Sequence, residues 1–102
     1  NGNLLRHKVA AAVVAVRRTG GSSTLDSLNH YLAYSEMIIA TSNYWDVIHG
    51  SKSGEVEKDD EGKQIMRVLG KNMAWLLKMK KATSGKIDPP KKEKKEYTNF
   101  IR

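Results

Sequence analysis

The sequence predicts an α/β fold in which short parallel strands alternate with helices. Residues 9–16 and 37–42 are short apolar runs rich in Val, Ile and Ala, which indicates two strands. Residues 24–36 and 59–81 repeat apolar residues at the spacing of one helix face. A strand, a helix and a second strand with short connections form a βαβ unit, whose strands run parallel.

The first predicted strand, residues 9–16, consists only of Val and Ala (VAAAVVAV). An uninterrupted apolar run of this kind is typical of a strand that is covered on both faces. The strand ends in residues 17–23 (RRTGGSS), and a helix pattern follows directly. The free N–H groups of such a turn, together with the positive end of a helix dipole, favour an anionic or electron-rich ligand. A plain connector between strand and helix is the alternative.

The first predicted helix covers residues 24–36. Leu25, Leu28 and Leu32 recur at positions i, i+3 and i+7, so they form one apolar stripe. Thr24 is a candidate N-cap, and Asp26 would lie in the first turn, where a negative charge suits the helix dipole.

A pair of aromatic residues follows the second predicted strand. The strand, residues 37–42, leads into Asn43, Tyr44, Trp45 and Asp46. Because parallel strands present their carboxyl ends at one edge, we expect this loop to lie beside the turn of residues 17–23. Tyr44 and Trp45 then either contact a ligand or cover a hydrophobic seam.

Residues 47–58 contain glycine, serine and mixed charges, which predicts a surface loop. The helix of residues 59–81 then begins with acidic residues and ends with lysines, as the helix dipole favours. Ile65 and Leu69 belong to its apolar stripe, which we expect to pack on the sheet. Gly85 is the predicted stop.

The chain divides into a nearly neutral body, residues 1–82, and a basic arm, residues 83–102. The net charge is +7, and residues 78–102 hold nine Lys or Arg and three Asp or Glu, which leaves only +1 for the rest. Such a segment is either a solvated tail or an arm that contacts phosphates. Residues 86–95 have no interleaved aromatic side chains for base stacking, which argues against nucleic acid. The apolar end, residues 97–102, suggests docking on the body or on a neighbouring subunit.

Several kinds of site are excluded by composition. The 102 residues include no cysteine, so disulfides and thiolate metal sites are ruled out within the chain, as fits a cytoplasmic protein. No apolar run reaches the ~20 residues that span a bilayer, and no signal peptide is visible. His7, His30 and His49 have no spacing that suggests a metal site, and no acid–base dyad or nucleophile is visible.

Two strands expose too much edge to form a stable sheet by themselves. The chain also begins at Asn1 rather than at Met. We therefore expect further strands from a preceding segment of a longer polypeptide or from another chain.

The residues also carry a resemblance to a known family. Residues 9–50 (VAAAVVAVRRTGGSSTLDSLNHYLAYSEMIIATSNYWDVIHG) and 56–78 (VEKDDEGKQIMRVLGKNMAWLLK) resemble the carboxyl-terminal half of flavodoxin-like NAD(P)H-dependent FMN reductases. This group includes multimeric flavodoxins and iron–sulfur flavoproteins, and the closing TNFIR also resembles the end of some members. The resemblance implies part of a flavodoxin-like three-layer sandwich, completed by a missing amino-terminal half or by a partner chain.

The resemblance also implies a flavin site. In the family, the turn after the fourth strand wraps the isoalloxazine edge of FMN through backbone N–H groups. By position the cofactor-binding residues here are Arg17, Arg18, Thr19, Gly20, Gly21 and Ser22, with Tyr44 and Trp45 beside them. We expect only one of the two arginines to reach the flavin or NAD(P)H. The family's phosphate loop, second flavin loop and cluster cysteines belong to the half that this sequence lacks.

The implied activity is hydride transfer from NAD(P)H through FMN to a quinone, a flavin or another small acceptor, in a homodimer or homotetramer. Without the phosphate loop, we expect the isolated chain to be inactive. The alternatives are an electron-transfer flavodoxin without dehydrogenase chemistry and a binding module that uses the basic arm for nucleic acid or an acidic partner.

Overall fold

The computed structural model describes residues 4–99. Its elements, in chain order, are β1 (Val9–Ala10), β2 (Val14–Val16), α1 (Gly21–Tyr34), β3 (Ile38–Ile39), β4 (Val47–His49), a short 3-10 helix (Glu55–Lys58) and α2 (Asp60–Thr83). The described part is thus a small α/β domain with two helices. Residues 1–3, and residues 100–102 of the apolar end that we expect to dock, lie outside the described range.

The strands form two parallel pairs, and the pair of β1 with β3 is the one that the βαβ pattern predicts. In the first pair β1 lies beside β3, with Val9 opposite Ile38. In the second pair β2 lies beside β4, with Val14 opposite Val47. Helix α1 connects the two strand pairs, since it follows β2 and precedes β3.

The predicted strand bounds are wrong in detail. The strand of residues 9–16 is interrupted at 11–13, and the strand of 37–42 shrinks to Ile38–Ile39. The interruption has a physical cause. The segment that pairs with residues 9–16 leaves the ladder after Ala40 and returns at Val47, so residues 11–13 have no strand to pair with. The returning segment, β4, was predicted as loop. It becomes a strand because β2 offers hydrogen bonds, such as that from the N–H of Gly50 to the carbonyl of Val16 (3.0 Å).

Helix α1 begins three residues before the predicted start and ends at Tyr34 instead of residue 36. Gly20 is left-handed (φ 88°) and occupies the N-cap position, so Thr24 is not the cap and Asp26 is not in the first turn. The end is set by Glu36, whose φ of 59° is incompatible with a right-handed helix.

Helix α2 begins one residue after the predicted start and continues to Thr83. Asp59 is its N-cap, and the side chain accepts a hydrogen bond from the N–H of Gly62 (2.9 Å). Ile65 and Leu69 are buried, as predicted for the stripe that packs on the sheet. Gly85, the predicted stop, lies two residues beyond the helix with a φ of 78°.

The two helices begin on opposite faces of the β2–β4 pair. A Cβ on Gly21 would come within 2.8 Å of a methyl carbon of Val47, so the start of α1 lies against that side chain. A Cβ on Gly62 would come within 2.6 Å of Ile48, so the start of α2 lies against the next residue of the strand. Successive side chains of a strand point to opposite faces. The β2–β4 pair is therefore covered on both sides at this end.

The described residues enclose a very small core. The buried apolar side chains are Val14, Leu25, Ala40, Ile65 and Leu69. The accessible surface is 8616 Å², whereas a compact monomer of this mass has about 5,800 Å². Large apolar side chains stay exposed, among them Tyr31, Tyr34 and Trp75.

No helix or strand follows Thr83 in the part of the chain that is described. The arm of residues 84–99 is exposed throughout and touches the body at Arg6, which donates to the carbonyl of Pro90 (3.1 Å). Neither described helix is both long enough and apolar enough to cross a membrane.

The Asp59 cap gives the fold a defined response to acid. The N–H groups of Gly62 and His49 donate to the Asp59 carboxylate and lower its pKa below the ordinary 3.8. The group therefore contributes stability at neutral pH, and this contribution is lost as the pH falls through the lowered pKa. We expect Asp59→Ala to lower the thermal unfolding midpoint at pH 7, and the difference from the unchanged protein to shrink below about pH 3.8.

Asp60→Ala is the matched control, because it removes a first-turn carboxylate that does not cap the helix. Equal losses from the two variants at pH 7 would show that helix-end charge, and not the cap, stabilises this junction.

Candidate functional site

Two loops meet at the carboxyl ends of the parallel strands, as predicted. The turn after β2 supplies Arg18, Thr19, Gly20, Gly21 and Ser22, and the loop after β3 supplies Tyr44 and Trp45. Together they line one open cavity of about 420 Å³, which we call the turn cavity. Arg17 does not line it, so only one of the two predicted arginines belongs to this site.

The start of α1 gives the turn cavity its hydrogen-bond donors. No side chain caps this helix, so no side-chain acceptor covers the N–H groups of its first turn. Gly20 holds the left-handed conformation that turns the chain into the helix, and the space where its Cβ would project is open to 4 Å. The positive helix end and Arg18 thus present donors and positive charge to the same cavity.

The opposite wall of the turn cavity comes from the start of α2 and is acidic. It includes Asp59 and Glu61, and His49 at the end of β4 lies beside them. His49 Nδ1 lies 3.5 Å from Asp59 Oδ2, and the backbone N–H of His49 donates to the same oxygen (2.8 Å). The sequence pattern assigns His49 to a surface loop and Asp59 and Glu61 to a helix start, so these residues are not predicted at the site.

Tyr44 and Trp45 line a second cavity as well. Their ring centroids are 6.1 Å apart at an interplanar angle of 38°, and their exposed fractions are 62% and 61%. The rings therefore present apolar surface to both cavities and cover no sealed seam.

The second cavity, of about 320 Å³, lies between α1 and the loop after β3, and we call it the Asp46 cavity. Asp46 is only 7% exposed, and its Oδ1 has no hydrogen-bond partner among the described residues. Asn29, on α1, lines the same cavity and has an equally unpartnered, buried Oδ1. Burial raises the pKa of the Asp46 carboxyl above its usual 3.8.

Backbone and side-chain hydrogen bonds fix the loop that carries these residues. The carbonyl of Asp46 accepts from the N–H of Val14 (3.0 Å), which ties Asp46 to β2. Ser42 Oγ donates to the carbonyl of Ile65 (2.6 Å), and Asn72 Nδ2 donates to the carbonyl of Thr41 (2.7 Å). The loop is therefore attached to the sheet at one end and to α2 at the other.

The described residues contain no group of three or more His, Cys, Asp or Glu side chains that could hold a metal ion. Comparison of the chain with protein families, with characterised proteins and with solved structures found no match. The site must therefore be interpreted from its own geometry.

The buried carboxyl of Asp46 predicts a stability change with the opposite sign to that of Asp59. In the unfolded chain the group titrates near 3.8, whereas in the folded protein its pKa is higher. As the pH rises through this interval, the folded state retains the proton longer and loses stability relative to the unfolded state. We expect Asp46→Asn to unfold at a higher temperature than the unchanged protein at pH 7, with a smaller difference at pH 3.

Asp26→Asn, on the exposed surface of α1, is the control for the change in net charge. A pH profile of Asp46→Asn that matches the profile of this control would show that the Asp46 carboxyl is not held in a desolvated environment.

Proposed function

We propose that the chain is part of an FMN-dependent oxidoreductase with a flavodoxin-like three-layer sandwich. The observation that carries this proposal is the turn cavity, where the predicted glycine turn and the predicted aromatic pair lie side by side at the carboxyl ends of parallel strands. Ligands of open α/β sheets bind at such edges. The helices on opposite faces of the β2–β4 pair also agree with a sandwich of three layers.

The residues of the turn cavity fit a flavin ring. An isoalloxazine is flat, apolar on its faces and rich in hydrogen-bond acceptors along its pyrimidine edge. Tyr44 and Trp45 offer exposed aromatic surface for the faces, and the uncapped start of α1 offers N–H donors for the edge. The absence of a side chain at Gly20 leaves the approach to these donors open.

When bound, FMN would supply the transfer of hydride from NAD(P)H to a quinone, a flavin or another small acceptor. The protein would bind, orient and polarise the flavin ring. The helix start and Arg18 favour negative charge at the ring edge, because both present positive potential there. The aromatic pair excludes water from the ring face. An electron-carrying flavodoxin would use the same site, and NAD(P)H oxidation by the assembled protein distinguishes the enzyme from the carrier.

A test of the ring site needs only lumiflavin, which has the flavin ring and no phosphate. The chain has two tryptophans with nearly equal exposed fractions, Trp45 at 61% and Trp75 at 62%. The variant Trp75→Phe leaves only Trp45 as a fluorophore, and Trp45→Phe leaves only Trp75. We expect lumiflavin to quench the first variant saturably and strongly, and the second more weakly, because Trp75 does not line the turn cavity and can lose energy to the flavin only at a distance.

The variants Gly20→Val and Gly54→Val distinguish a specific role of the turn in lumiflavin binding from a general effect of backbone strain. Both glycines are left-handed helix N-caps with open space around the missing Cβ, but only Gly20 lines the turn cavity. We expect Gly20→Val to weaken lumiflavin binding and Gly54→Val to leave it unchanged. Equal quenching of both tryptophan variants, or equal effects of both glycine variants, would refute the ring site.

We further propose that the strands are completed by association, as in a homodimer or homotetramer. In a parallel ladder alternate residues bond to one neighbour, so the backbone groups of Val9 and Ala15 point away from β3 and β4. Each described strand has one partner only, which leaves the outer edge of β1 and β2 free. Exposed apolar side chains of the body, such as Tyr31, Tyr34 and Trp75, support the same conclusion, since a compact monomer would bury more of this surface.

Sedimentation velocity at increasing concentration tests this association. We expect species above the monomer mass of 11.4 kDa. Val13→Lys, which places a charge between β1 and β2 at a side chain 54% exposed, should reduce them. Ile87→Lys adds the same charge to the arm and should not. A compact monomer that unfolds cooperatively at all concentrations would contradict the proposal.

A further inference from the structure

The Asp46 cavity, which shares only Tyr44 and Trp45 with the proposed flavin site, has an unusual polarity. Among its lining residues the only ionisable side chains are Asp46 and Tyr44, so no Lys, Arg or His of the described chain neutralises the carboxylate there. Oδ1 of Asp46 is buried, and no donor of the described residues reaches it. A buried carboxylate without a partner costs free energy unless a ligand supplies the missing donors.

Asn29 adds a second acceptor on the facing helix. Its Oδ1 is buried and unpartnered, like Oδ1 of Asp46, and both residues line the cavity. Two unsatisfied acceptors in one cavity match a group that carries several N–H donors and positive charge. A planar amidinium or guanidinium has this character, because its N–H groups diverge in a fixed fork that can bond two acceptors together.

The aromatic wall agrees with the same ligand. Tyr44 and Trp45 line the cavity with well-exposed rings. Aromatic faces attract organic cations, and planar guanidinium-type groups also stack on them. An anion, in contrast, would meet the Asp46 carboxylate without any cationic side chain to compensate.

We propose that the Asp46 cavity binds a small molecule with an amidinium or guanidinium head group, held by the Asp46 carboxylate and the Asn29 amide oxygen beside the Tyr44–Trp45 rings. The Oδ1 atoms of Asp46 and Asn29 are covered from water. The ligand reaches them when the carboxylate and amide groups rotate about their terminal bonds. Those terminal torsions are broad and roughly two-fold, so this rotation needs no change of χ1. The backbone of Asp46 stays fixed by its hydrogen bond from Val14.

The test is a titration with three ligands of one shape and different charge. Benzamidine is a cation with donors only, benzamide is neutral with a donor and an acceptor, and benzoate is an anion with acceptors only. Calorimetry on the unchanged protein at pH 7 should give binding of benzamidine, weaker binding of benzamide and no binding of benzoate. Binding of benzoate as strong as that of benzamidine, or no binding of benzamidine at millimolar concentration, would overturn the proposal.

Two substitutions assign the site. We expect Asp46→Asn to weaken benzamidine by about tenfold or more, because a charged hydrogen bond is lost, and to change benzamide much less. Asp26→Asn removes the same charge from the exposed face of α1 and should leave benzamidine binding intact. Equal effects of the two substitutions would mean that benzamidine binds by general attraction to acidic surface, which would also overturn the proposal.

A measurement on the unchanged protein covers the case in which Asp46→Asn does not fold. In an NMR titration the side-chain amide resonance of Asn29 should shift with benzamidine, and the Trp75 indole resonance should not. A shift at Trp75 without one at Asn29 would place benzamidine elsewhere. Because lumiflavin is tested separately at the turn cavity, failure of either site leaves the other measurable.

Discussion

The arrangement depends on the close approach of two helix starts to a three-residue strand. Gly21 brings α1 against Val47 and Gly62 brings α2 against Ile48, and a methyl group at either glycine would collide with the strand. The β4 strand itself exists only because β2 holds it through the ladder from Val14 to Val16. This contact sets the two walls of the turn cavity, since the donor-rich start of α1 and the acidic start of α2 are both positioned by it.

The βαβ unit could be predicted from sequence because its signals are local. The Val and Ala run, the glycine turn and the leucine stripe each specify one element, and the parallel pairing follows from their order. The loops at the carboxyl edge could be predicted as neighbours for the same reason. Seven of the eight predicted cofactor-binding residues line the turn cavity, and only Arg17 does not.

The missed elements depend on contacts between distant segments. Val47–His49 is too short and too polar in its surroundings to be distinguished from a loop, and β2 alone makes it a strand. The early start of α1 has a similar origin, because Gly20 and Gly21 serve both as a turn and as the point of closest packing. Asp46 was not predicted as a site residue, since its burial follows from the position of the unpredicted strand.

The two cavities that share Tyr44 and Trp45 differ in the polar groups that they leave without a partner, and the chain topology explains this difference. The turn cavity contains hydrogen-bond donors because α1 begins there, and the start of a helix exposes N–H groups. The Asp46 cavity contains acceptors for a different reason. The segment before β4 turns its backbone toward β2 and leaves the Asp46 side chain on the α1 side, where Asn29 also lines the cavity. Parallel strands with their connections thus place the helix-start donors on one side of the aromatic pair and the unpartnered acceptors of Asp46 and Asn29 on the other. The two proposed ligands differ accordingly, because the flavin edge would offer acceptors to the glycine turn and the amidinium would offer donors to Asp46.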